Sequence, residues 1–169
     1  AFVELFGPSG TVLDGWLLQG VNGADGSIYR NVLLAGTIPP DGVFLIGDDS
    51  GDGSTLVDGA DLVGEVDFQN GPDSIVLRDT SAILDALGYG DFSGGVFSGE
   101  GSAAPDVLAG YSLARYDLSL DMNNNLLDFV VLERPTPGDI PPAAVPLPPA
   151  VLLLLSGILA LAGIARKRS

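Results

Sequence analysis

The sequence predicts an all-β domain, an antiparallel sandwich or barrel, followed by a single apolar helix at the C-terminus. Three observations predict it. From Phe2 to Leu132, short runs rich in Val, Ile, Leu, Phe and Tyr alternate with Gly, Asp, Asn and Pro clusters that favour turns. No helical periodicity interrupts that stretch, which argues against a parallel sheet with crossover helices. From residue 150 to residue 165 the chain turns apolar on every face.

The predicted strands, in order, are Phe2 to Phe6, Gly15 to Gln19, Ile28 to Leu34, Val43 to Ile46, Ile75 to Arg78, Ala82 to Leu87, Ser112 to Tyr116 and Asp128 to Glu133. Val43-Phe44-Leu45-Ile46 is continuously apolar, so this strand is expected to be buried on both faces or packed under a loop. Ile28 to Val32 alternates with polar residues and should be half exposed. Asp48 to Asp67 is rich in Asp and Gly and reads as a long surface loop. Trp16 and Phe44 are expected in the core, and Asp14 before Gly15 in a turn. Glu4 either faces solvent or pairs with Arg115 across the sheet.

Pro135-Thr136-Pro137-Gly138 ends the last strand, which bounds the domain at residues 1–138. Residues 139–149 form a proline-rich linker expected to be extended and stiff. The chain opens at Ala1, without an initiator methionine and with a strand already in progress, so further sequence is expected upstream.

All 22 acidic residues lie between Glu4 and Asp139, with only Arg30, Arg78, Arg115 and Arg134 to offset them, a formal charge of −18. Such a surface repels nucleic-acid phosphate, so nucleic-acid binding is not expected; it attracts divalent cations or basic partners. With no cysteine and no histidine, neither disulfides nor hydrolysis by a histidine-activated nucleophile is available. Lys167, the only lysine, lies outside the domain, which leaves its serines without an activating amine.

Residues 150–165, sixteen in number, span about 24 Å as a helix, close to the roughly 30 Å of a bilayer core. Val145 and Leu147 at one end and a snorkelling Arg166 at the other extend the apolar span. The basic end at residues 166–169, with Arg166, Lys167 and Arg168, is a membrane stop that stays in the cytoplasm by the positive-inside rule, so the acidic domain faces outward.

Val145-Pro146-Leu147-Pro148-Pro149-Ala150, followed by the leucine-rich run and Arg166-Lys167-Arg168, resembles the C-terminal sorting signals of the PEP-CTERM class in their VPLPA variant. Pro149 stands where the related pattern has alanine. The resemblance implies a Gram-negative bacterium, export, and handling by an exosortase-like transpeptidase of the inner membrane. Val145, Pro146, Leu147, Pro148, Pro149 and Ala150 would be that enzyme's substrate.

The front of the chain resembles the lamin tail domain, an immunoglobulin-like β-sandwich. The resemblance rests on Phe2-Val3-Glu4-Leu5 with Gly7-Pro8, Leu13 to Leu18, Leu34 with Gly36, Ile38-Pro39 before Gly42 to Ile46, and Asn70 before Asp73 to Leu77. It continues through Ser112 to Arg115, Asp128-Phe129 and Pro135 to Gly138. The strand that usually precedes Phe-Val-Glu-Leu is missing, which implies an exposed sheet edge.

Asp48-Asp49-Ser50-Gly51-Asp52-Gly53 copies the first half of a calcium loop, with Asp48, Ser50 and Asp52 as ligands and Asp58 or Asp61 folding back as a fourth. The twelfth position is Gly59 where that template needs glutamate. Asp121 to Asn125 is a second partial match. Asp and Asn side chains capping their own turns explain both loops equally well. Asp48 beside Asp49 lacks the fixed separation that acid–base hydrolysis needs, and Gly94 to Gly101 has no following lysine and reads as a loop rather than a phosphate site.

No catalytic residue and no obligatory cofactor is expected. The expected protein is an exported, membrane-anchored, non-catalytic interaction or structural module in the inner membrane. Its domain faces the periplasm, or is later sorted to the surface or extracellular matrix, where it contacts polysaccharide or protein. Two other readings stand beside this one: an accessory domain of a secreted hydrolase or nuclease whose catalytic part lies upstream, and a calcium-stabilised surface adhesion protein.

Overall fold

The computed structural model describes residues 1–140, whose regular secondary structure is almost wholly β-strand. The strands are β1 (Phe2–Phe6), β2 (Leu17–Asn22), β3 (Ile28–Leu33), β4 (Val43–Asp48), β5 (Leu62–Gly64), β6 (Asp73–Arg78), β7 (Ile83–Tyr89), β8 (Ser112–Arg115) and β9 (Phe129–Leu132). A single helical turn, α1 (Asn125–Asp128), precedes β9. One sheet has the order β1-β4-β5, a second β3-β2-β6-β7, and β8 pairs with β9 as a hairpin. Every pairing is antiparallel except that of β4 with β5.

The two larger sheets share one core, as a sandwich must. Phe44 and Ile46 of β4 meet Leu18 of β2, Val32 of β3 and the buried loop residues Leu13, Leu34, Ile38 and Val66, with Val3, Leu5, Ile75 and Leu77 packed around them. Period-two alternation explains the selection: Leu18 pairs with Val32 and Leu77 in register, so all three project from one face of the sheet. Trp16 is half-buried against this cluster rather than at its centre. Asp14 sits in the expected turn and accepts a hydrogen bond from the Gly36 N–H at 2.8 Å.

The β4 strand is buried on both faces, with Val43, Phe44, Leu45 and Ile46 all below a tenth exposed. Phe44 and Ile46 face the core, while Gly138 lies against Leu45 on the opposite side. The Gly138 N–H donates to Glu4 Oε1 at 2.6 Å, so Glu4 anchors the chain that leaves β9. It does not reach Arg115, and the cross-sheet pair entertained from the sequence is replaced by this bond.

The expected strands all occur, Phe2–Phe6 with the expected bounds and the others with ends that differ by up to three residues. Two elements differ from the expectation. The stretch read as loop from Asp48 to Asp67 contains β5, drawn alongside β4 because Asp61 both accepts from the Leu45 N–H through Oδ2 and donates its own N–H to the Leu45 carbonyl, each at 2.8 Å. The α1 turn was not anticipated either. Among the described residues no helix is long and apolar enough to cross a membrane. The sorting motif from Val145 to Ala150, the apolar run 150–165 and the stop Arg166, Lys167 and Arg168 lie outside the described residues.

Candidate functional site

The acidic residues of the described domain do two kinds of work. Asp48 Oδ1 accepts from the backbone N–H groups of Val66 and Asp67, each at 3.0 Å, and so ties the end of β4 to the segment after β5. Asp49 Oδ1 accepts from Gly51 and Gly53, and Asp52 Oδ1 from the N–H and hydroxyl of Ser54. Ser50 donates its N–H to the Ser54 carbonyl, and Asp58 is exposed. The loop carboxylates are turned toward their own backbone.

The Asp52–Ser54 arrangement recurs. Asp25-Gly26-Ser27, Asp79-Thr80-Ser81, Asp91-Phe92-Ser93 and Asp117-Leu118-Ser119 place an Asp oxygen on both the N–H and the hydroxyl of the serine two residues on. These bonds favour the ionised carboxylate and hold all five Asp groups below the ordinary range. A lowered folded pKa means stability that is present above the unfolded value of 3.8 and lost as pH falls through the folded one.

The second kind of work is a cluster on the outer side of β7. Asp85 comes from β7, Glu100 from the loop after it, Arg115 from the end of β8, Asp121 from the following loop, and Asp128 from the junction of α1 with β9. Arg115 Nη2 lies 2.8 Å from Asp85 Oδ2, and Nη1 lies 3.4 Å from both Asp121 Oδ1 and Asp128 Oδ2. Its guanidinium also stacks 4.8 Å above the Phe129 ring. Asp128, almost wholly buried, accepts further bonds from the Met122 and Asn124 N–H groups. Asp121 accepts from the Asn123 N–H, the turn-capping alternative read for that loop.

Asn125 completes the attachment. Fully buried, its Oδ1 accepts from the Gly88 and Glu100 N–H groups while Nδ2 donates to the Ala86 carbonyl. Its carboxamide thereby pairs with the free edge of β7 as a neighbouring peptide would, and the Ala104 backbone pairs with the Gly88 carbonyl and Gly90 N–H beyond it. Gly99 is required there, because a side chain would strike both Asn125 Oδ1 and the Gly88 nitrogen at about 2.4 Å.

Carboxylate oxygens of Asp85, Glu100 and Asp121 converge to within 4.8 Å of one another, and hard oxygen donors of that kind suit Ca²⁺ or Mg²⁺. Arg115 already lies against Asp85 and Asp121, however, and supplies the neutralising charge a cation would bring. Glu100 is the member left over: its Oε2 is buried without a hydrogen-bond partner among the described residues. Burial, and then the charges of Asp85 and Asp121, push its carboxyl up, with Arg115 opposing and Asp128 adding to the rise. Among the described residues, the cluster around Arg115 sets no nucleophile beside a base.

The sequence singled out Asp121 and offered Glu4 either to solvent or to Arg115; it did not find Asp85, Glu100 or Asp128 as the groups around Arg115. The only available signal was scarcity, since an arginine inside a strand of so acidic a chain must face carboxylates. Comparison with protein-family models, curated proteins and solved structures finds no match.

Two outcomes are expected. Asp48→Ala removes two backbone bonds and lowers unfolding free energy by about 1–3 kcal/mol. Urea melts in millimolar calcium and in chelator should show the same loss; a loss confined to calcium would restore the metal reading. Glu100 has a folded pKa above its unfolded one, so its ionisation destabilises the fold, with no penalty below the unfolded value of about 4.5 and the full penalty above the raised folded value. Glu100→Gln should therefore raise the melting temperature at pH 7 and leave it unchanged near pH 4.

Proposed function

We propose that the chain is an exported, membrane-anchored, non-catalytic interaction or structural module that carries a C-terminal protein-sorting signal. The observation that carries this reading is the order of elements in the tail. A Pro-rich motif at Val145 to Ala150, an apolar run at 150–165 and a basic stop at Arg166 to Arg168 follow one another directly after an acidic β-domain.

A domain built for contact rather than catalysis is supported by how its carboxylates are used. They cap turns and surround one arginine, so few converge on a cleft where a substrate would bind. In this reading an exosortase-like enzyme acts on the tail, lipid surrounds residues 150–165, and the domain faces the periplasm or, once transferred, the cell surface or matrix. The partners it meets there are polysaccharide or protein, engaged through loops and sheet edges. The lamin tail-like sandwich gives the domain its class, and fold alone does not name the partner.

Fractionation of bacteria expressing the chain behind a signal peptide, with and without the matching sorting enzyme, tests the proposal when combined with intact mass. Loss of the mass beyond about Pro149, only where the enzyme is present, is the expected result. A soluble cytoplasmic chain of full length in both strains would overturn it.

A further inference from the structure

A shallow groove of 340 Å³ lies where the chain leaves the described domain. Phe6 at the end of β1, Tyr116, Leu118 and Ile140 form its apolar wall, and Arg115 and Asp117 lie at its polar side. Phe6 is 49% exposed and Ile140 50%, so large apolar surface faces outward in a domain whose formal charge is −18. We propose that the groove seats the chain's own proline-rich segment, Pro141 to Val145. The inference does not rest on the tail being a sorting signal.

Three observations select this occupant. Ile140 is itself part of the wall, so the residues that follow are covalently tethered at the groove. A directly tethered segment reaches an effective concentration in the millimolar range or above, and an intrinsic affinity of that order is then enough to hold it. Second, five of the nine residues from 141 to 149 are proline, a sequence that favours the polyproline II form. Such a ridge loses little entropy on docking, and aromatic-walled grooves such as that formed by Phe6 and Tyr116 suit it. Third, no charged residue lies between Asp139 and Arg166. A second copy or an anionic lipid surface would bring negative charge against Asp117 and Asp139; this segment brings none.

Seated there, the segment leaves only residues 146–149 between the groove and the apolar run. It would hold the first residue of the Val145 to Ala150 motif at a fixed place against the domain.

Backbone amide order parameters of Ala143 and Ala144, measured by NMR on the full chain in detergent micelles, test the proposal. Values near 0.85, matching the strands, are expected in the parent. They should fall below about 0.6 in the Phe6→Ser/Tyr116→Ser double variant, with domain resonances away from the groove unmoved. Pro142→Gly, which lies outside the domain and cannot unfold it, should lower them as well. Values below 0.6 in the parent, or high values that survive all three substitutions, would overturn the proposal. So would mobile Ala143 and Ala144 in a particle of twice the mass, which would give the groove to a second copy.

Discussion

The hairpin β8–β9 and the turn α1 are held on the outer side of β7 by polar contacts, because the apolar surface there is too little buried to hold them. Every residue of β8 is only partly buried, and Leu126 and Leu127 of α1 are more than half exposed. Directional contacts therefore carry the attachment, Asn125 on the β7 edge and Arg115 on Asp85. Of the carboxylates beside Arg115 only Asp128 is buried as well, and removing one partner of a buried pair commonly costs about 3–5 kcal/mol, because the other charge is left uncompensated. Here three carboxylates, Asp85, Asp121 and Asp128, face the single guanidinium, so the consequence of losing it falls on all of them.

The same economy of positive charge explains the rest of the domain. With four arginines against 22 acidic groups, most carboxylates cannot find an ion pair. They instead accept backbone N–H groups one to four residues away, the arrangement of Asp25, Asp49, Asp52, Asp79, Asp91 and Asp117. Each such bond satisfies a turn N–H that the sheets leave unpaired. Acidity is then a property of the turns, and a strongly negative domain of this construction needs no metal to explain its composition.

Alternation and turn clusters made the strands legible, since both arise from local geometry; the doubly buried β4 was legible because four apolar residues in a row leave no polar face. The β5 strand was not, because Leu62-Val63-Gly64 is too short to show a period and is placed by Asp61 reaching Leu45, a contact between distant residues. Asn125 looked like one of three turn asparagines, and nothing local marks it as the residue that closes the β7 edge. The Asp-x-Ser triplet, by contrast, occurs six times and is readable as a turn device, and in five of the six the Asp oxygen accepts from both the N–H and the hydroxyl of the serine. Glu4, left between solvent and Arg115 by its sequence alone, has its carboxylate taken by the Gly138 N–H, again a contact between distant residues.

Arg115 holds a separable layer on the two-sheet core, and native-state hydrogen exchange of Arg115→Met tests that most directly. Amides of β8, α1 and β9 should lose protection while those of β2, β4 and β6 keep theirs, the signature of a local opening. Protection unchanged throughout, or lost equally in the two-sheet core, would contradict it.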